Sequence, residues 1–178
     1  FALCSKVMTK IVKLPKPVIA SVQGIATAAG CQLVASCDLA IASEKSKFAT
    51  PGVNIGLFCS TPMVAVSRNI NKKQTMEMLL LGEFISPSKA KDLGLINKVV
   101  NNKNLYEETY KMAKIIASKS AATVSIGKEA FYRQLEMRLE DAYKYTSKVM
   151  ATNMLEKDAK EGISAFIDRR KPIWDKNN

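Results

Sequence analysis

The chain has 178 residues, 47% hydrophobic and 24% charged, which is enough for one domain or slightly more with a sizeable core. It contains no histidine, so a Ser-His-Asp triad, a Cys-His nucleophile pair and histidine-ligated zinc are excluded. The net charge is +11, spread as 10 basic against 4 acidic residues over 1–89 and 17 against 12 over 90–178, so there is no basic tail.

In chain order, residues 1–13 predict the end of an amphipathic helix, with Leu3, Val7 and Ile11 on one face. The segment starts without Met and reads as mid-helix, so further residues are expected before it. Phe1-Ala2-Leu3-Cys4-Ser5-Lys6 has no basic stretch leading into an apolar one and does not read as a signal peptide. Leu14-Pro15-Lys16-Pro17 stops the helix. Val18 to Val22 is a short apolar strand ended by Gly24, and Ala28 to Ser36 suits a small-residue helix. Asp38 to Ser43 is a second buried strand, Phe48-Ala49 a third, and Pro51 to Thr61 a loop with a turn of helix. Pro62 to Ile70 and Lys72 to Leu81 predict helices, the second with Asn71 and Gln74 as a capping box. Ser86-Pro87 opens another helix that Gly94 closes. Leu95 to Val100 is the last strand, and from about Leu105 the pattern is helical. Leu139, Ala142, Tyr143, Thr146, Val149, Met150 and Met154 share a helical face that reads as core or subunit contact.

No apolar run approaches the about 20 residues that span a bilayer. Cys4, Cys31, Cys37 and Cys59 lack metal-type spacing and sit among apolar neighbours, which predicts buried, reduced thiols.

One segment could carry chemistry. A buried strand turns through Gly24 into Ala28-Ala29-Gly30, which opens a helix. Small side chains there let a ligand approach backbone N–H groups that have no intrahelical partner, at the positive end of the helix. Such a turn can hold a carbonyl oxygen or an oxyanion. The same small residues also suit tight packing of helix on strand, and the local pattern leaves both readings open.

The longer pattern narrows them. Lys16-Pro17-Val18-Ile19-Ala20, Gly24, Gly30-Cys31, Cys37-Asp38-Leu39-Ala40, Phe48-Ala49-Thr50-Pro51 and Gly56 follow one another in the order and spacing of the enoyl-CoA hydratase (crotonase) signature. The C-terminal Glu161-Gly162-Ile163-Ser164-Ala165-Phe166 and Arg169-Arg170-Lys171-Pro172 also resemble the end of that family. The stretches Gln32 to Asp38 and Phe48 to Pro62 resemble one subgroup of it, whose activity is poorly defined.

The resemblance implies an α/β fold, a crotonase-like superhelix of ββα units whose N-terminal part is missing. Residues 1–100 would be the C-terminal part of the α/β core, and residues 101–178 an all-α region that forms homotrimers, often paired into hexamers. It implies an acyl-CoA ligand, with coenzyme A thioester as substrate and no separate cofactor or metal. One N–H of the oxyanion hole maps to Ala29. The other, with most of the adenine site, would lie before Phe1. Gly30, Gln32, Gly52, Ser60, Phe166 and Arg169 map to substrate-binding positions. Phe166 would border the acyl pocket and Arg169 would reach a CoA phosphate, unless they are a core aromatic and a solvated charge.

The departures bear on mechanism. The family's hydratases carry glutamates at the positions of Gln32 and Gly52, and its isomerases one near Ser60. Hydration needs one group to activate water and another to deliver a proton. Gln32 cannot take a proton at pH 7, Gly52 has no side chain, and Ser60 has no base beside it. Cys59 is the one nearby titratable group, and it reads as a buried thiol. The alternatives are a non-catalytic regulatory role and, from another class, RNA binding, known in one branch of the family. The even charge spread and the lack of an aromatic-basic cluster argue against nucleic acid. The compartment would be the cytoplasm in a bacterium and the mitochondrial matrix in a eukaryote.

Overall fold

The computed structural model describes residues 1–175. By internal contact they fall into two units, one of residues 1–12 and 18–113, the other of residues 13–17 and the chain from 114 on.

In the first unit helix α1 (Ala2–Lys13) precedes strands β1 (Ile19–Val22) and β2 (Ile25–Thr27) and helix α2 (Ala29–Ser36). The same order recurs in β3 (Leu39–Ser43), β4 (Lys47–Ala49), a 3-10 turn (Pro51–Ile55) and α3 (Ser60–Val66). These are two successive ββα turns. Helices α4 (Lys72–Leu81) and α5 (Pro87–Asp92) lead to β5 (Lys98–Val100).

The repetition builds two parallel sheets. One has the order β1-β3-β5, with Ile19 beside Leu39 and Ile41 beside Lys98. The other pairs β2 with β4, Ile25 beside Lys47 and Thr27 beside Ala49. Strand β2 is absent from the sequence-based reading, because three residues after Gly24 carry too short an alternation to register. Strand β5 begins at Lys98 rather than Leu95, because Leu95 and Ile96 are buried in the approach to it and Asn97 exchanges two bonds of 2.8 Å with Ala40. Helix α3 starts two residues earlier and ends four earlier than expected.

The central strand β3 is buried over Ala40–Ser43, as a parallel strand covered on both faces requires. The core gathers between the strands and helices α2 to α5 around Phe48, whose side chain has no exposed area. Asn69 ties α3 to α2 through a bond of 2.8 Å to the Ala35 carbonyl. Asn71 caps α4 by accepting the Gln74 N–H at 3.1 Å, while the two side chains bond each other, a variant of the expected box. Ser86 caps α5, and Gly94 follows it at φ 86°.

Helix α6 (Leu105–Ala117) crosses the boundary between the units. The second unit holds α7 (Ala121–Gln134), α8 (Leu139–Asn153) and α9 (Lys157–Ile167). Its chain end folds back on it. Arg170 grips Glu161 through two bonds of 2.6 and 2.9 Å, and Trp174 Nε1 donates to the Ser118 carbonyl at 2.8 Å. The Arg170 bonds, with the Ile173 N–H, hold the Glu161 carboxyl down at about 2. Ala142 of α8 is buried, whereas Leu139, Tyr143, Met150 and Met154 are exposed, so that face is not core of this chain. Among the described residues no helix is long and apolar enough to cross a membrane.

Phe48 fills the centre of the first unit. Phe48→Ala should therefore destabilise the chain by about 3–5 kcal/mol through lost transfer and the cavity left behind. A urea denaturation midpoint that moves by less than the equivalent of 1 kcal/mol would show the core is centred elsewhere.

Candidate functional site

The turn into α2 holds one of the two non-glycine residues with positive φ among the described residues. Ala28 has φ 46° and ψ −112°, a region that costs a non-glycine residue about 1–3 kcal/mol. Two hydrogen bonds hold it there. The Ala28 N–H donates to the Ala49 carbonyl at 3.0 Å, and the Ala28 carbonyl accepts the Gln32 N–H at 2.9 Å. The chain therefore leaves β2 and enters α2 within one residue. Ala29, the first residue of α2, is exposed, and its N–H finds no acceptor among the described residues. A Cβ placed on Gly30 would meet nothing within 4 Å, so close packing does not require glycine here.

Gln32 lies one turn further on and is buried. Its amide oxygen faces the Cys4 thiol at 3.7 Å, and its carbonyl accepts the Ser36 hydroxyl at 2.8 Å. Cys31 has no exposed area, and burial, with a smaller contribution from nearby Cys59, pushes its thiol up to about 12. Among the described residues no cysteine is in a disulfide, but only Cys31 and Cys59 are buried, while Cys4 and Cys37 are partly exposed.

Gly52 is closed in by the loop that follows it. Its N–H donates to Cys59 Sγ at 3.3 Å, and its carbonyl accepts the Leu57 N–H at 2.9 Å. A Cβ here would stand 2.8 Å from the Leu57 carbonyl oxygen and 3.0 Å from Cys59 Sγ. The first of these is backbone and cannot swing aside. Glutamate at this position has no room without moving the loop.

Ser60 begins α3 on the surface, with its hydroxyl turned back to the Phe58 carbonyl at 3.4 Å. Phe166 is 84% exposed at the end of α9, so it is not a core aromatic. Arg169 follows the helix at φ 54° and is exposed. The first unit thus holds Ala29, Gly30, Gln32, Gly52 and Ser60, and the second holds Phe166 and Arg169. Within the first, the bond from Ala28 to Ala49 sets the α2 turn beside the segment that leads to Gly52.

One residue there escaped the sequence-based reading. Thr50 is fully buried, and its Oγ1 has no hydrogen-bond partner among the described residues. The available signal was a lone hydroxyl between the buried Ala49 and Pro51.

The model of the enoyl-CoA hydratase/isomerase family matches residues 3–177. The chain belongs to that family. It is 55% identical over 174 residues to "Enoyl-CoA hydratase domain-containing protein 3, mitochondrial" of Xenopus laevis, covering 98% of this chain and 59% of that protein. The crystal structure of human enoyl coenzyme A hydratase domain-containing protein 3 superposes with a TM-score of 0.94 at 56% identity, over 96% of this chain and 68% of that one. A Mycobacterium smegmatis enoyl-CoA hydratase structure gives 0.96 at 53% identity, over 98% and 68%. The chain thus spans a little under 60% of the length of the curated relative it matches. These likenesses agree with the family and the subgroup read from the motifs, and with the crotonase-type α/β fold with a helical C-terminal region.

The enclosure of Gly52 can be tested directly. Gly52→Ala should destabilise the chain by about 1–3 kcal/mol by overpacking against the Leu57 carbonyl. A variant as stable as the parent in thermal unfolding would show that the 57–59 loop yields freely.

Proposed function

We propose that this family member binds a coenzyme A acyl thioester with its carbonyl oxygen on the Ala29 N–H. The observation that carries this reading is the unpartnered N–H on the first residue of α2, held behind a strained Ala28 and beside open space at Gly30. The helix dipole adds positive potential there. Such a donor stabilises an enolate oxygen more than the ground-state carbonyl, because the charge develops on that atom.

Gln32, Gly52 and Ser60 in place of glutamates argue that the protein does not run hydration with a carboxylate pair. Gln32 can orient a water or a ligand oxygen through its amide and cannot accept a proton. We take the site to be one for thioester binding or enolate stabilisation, with any proton supplied by water or by the ligand itself. Phe166 would line the acyl group and Arg169 would meet a CoA phosphate by a charge-assisted bond. The exposed apolar side chains of α8 and α9 suit a homotrimer or hexamer. The relatives named as mitochondrial favour the mitochondrial matrix as the compartment.

The test pairs calorimetry with a kinetic assay. Acetyl-CoA should bind the purified protein, and Arg169→Ala should weaken it. Crotonyl-CoA hydration should fall at least about 10²-fold below a typical turnover of about 10 per second. Turnover at that typical level would overturn the reading, as would tight binding of single-stranded RNA at physiological salt with no binding of acetyl-CoA.

A further inference from the structure

We propose that Thr50 is a ligand-binding residue of this turn, its hydroxyl pairing with an oxygen that the bound thioester brings to the N-terminus of α2. This rests on the reading of Ala29 as the thioester's donor and extends it to a side chain.

Three observations converge on Thr50. Its side chain is fully buried, and Oγ1 has no hydrogen-bond partner among the described residues. Nearly every buried hydroxyl in a folded protein is paired, because leaving one unpaired costs stability. Valine has the same shape and would fill the space without that cost. The second observation is position. The β2–β4 pairing sets Thr27 beside Ala49, and the Ala28 N–H bonds the Ala49 carbonyl at 3.0 Å. Thr50 directly follows Ala49, and Ala29 directly follows Ala28, so each is the next residue beyond that bond. The third is the turn itself. A Cβ on Gly30 would meet nothing within 4 Å, so the turn has open space beside it. Thr50 is thus a hydroxyl with unused hydrogen-bonding capacity, and the Ala28–Ala49 bond joins the residue before it to the residue before a backbone donor that also lacks a partner.

A hydroxyl can donate to a carbonyl oxygen or accept from an enol or a water. It cannot act as a base at neutral pH, so its role is to orient the ligand. Because Oγ1 is covered, the pairing entails a local shift of the turn when ligand binds. The residues that form the turn are small on both sides, which limits what must move.

The experiment compares Thr50→Val with Thr50→Ser, each measured for acetyl-CoA binding by calorimetry and for thermal stability. The valine variant should unfold about 2–4 °C higher, because it removes an unpaired buried polar group. It should nevertheless bind acetyl-CoA about 3- to 10-fold more weakly, the loss expected for one neutral hydrogen bond. The serine variant should be less stable, having lost a buried methyl, and should bind like the parent. Opposite rankings for stability and binding are what a purely packing role would not produce. Should the valine variant fail to fold, Thr50→Ala against Thr50→Ser gives the same contrast. A valine variant that binds acetyl-CoA as tightly as the parent would overturn the role of Thr50 and leave the thioester reading standing. A parent protein that binds no acetyl-CoA at millimolar concentration would overturn both.

Discussion

The structure turns on one strained peptide. Ala28 is forced to φ 46° because it must finish the β2–β4 pairing and begin α2 at once. The bond to the Ala49 carbonyl belongs to the sheet, and the bond from the Gln32 N–H belongs to the helix. Neither can be kept if Ala28 relaxes to an ordinary conformation. The surroundings over-determine the strain, which is the condition under which strain persists in a folded protein. Its consequence is the orientation of the next N–H, on Ala29, away from any internal acceptor. The two ββα turns and the core around Phe48 hold this geometry, and the open space at Gly30 leaves it accessible.

A second constraint works in the opposite direction. Around Gly52 the chain folds closely on itself, with Leu57 and Cys59 filling the volume a side chain would take. A carboxylate at position 52 would have no room unless that loop moved. The Leu57 carbonyl and the Cys59 thiol lie where such a side chain would start, and burial raises the Cys31 thiol to about 12. The proposed site would polarise a carbonyl and would have few ways to move a proton. That asymmetry separates stabilising an enolate from hydrating a double bond, because only the latter requires a positioned base and acid.

Much of this was legible in the sequence. The strands around Ile19 and Ile41 announce themselves as short apolar runs, and the caps at Asn71 and Ser86 follow from side-chain chemistry alone. Ala29 at the head of α2 follows from small residues after a buried strand, and the family resemblance gave it an expected role. Other features were not legible. Strand β2 is defined by its partner β4 rather than by its own three residues. The positive φ falls on Ala28 although glycine stands two residues on, since hydrogen bonding and not residue preference dictates it. The exclusion at Gly52 depends on the fold of Leu57 to Cys59, and the unpaired Thr50 hydroxyl is a property of three-dimensional surroundings. The apolar face of α8 suited core or subunit contact, and its exposure in Leu139, Tyr143, Met150 and Met154 is a property of the fold.

The central claim is that the Ala29 N–H receives the thioester oxygen. A crystal structure of the protein with acetyl-CoA tests it most directly. The thioester oxygen should lie about 2.7–3.1 Å from the Ala29 nitrogen, the distance at which a preorganised donor acts. A thioester seated elsewhere, with the Ala29 N–H facing only solvent, would contradict the account.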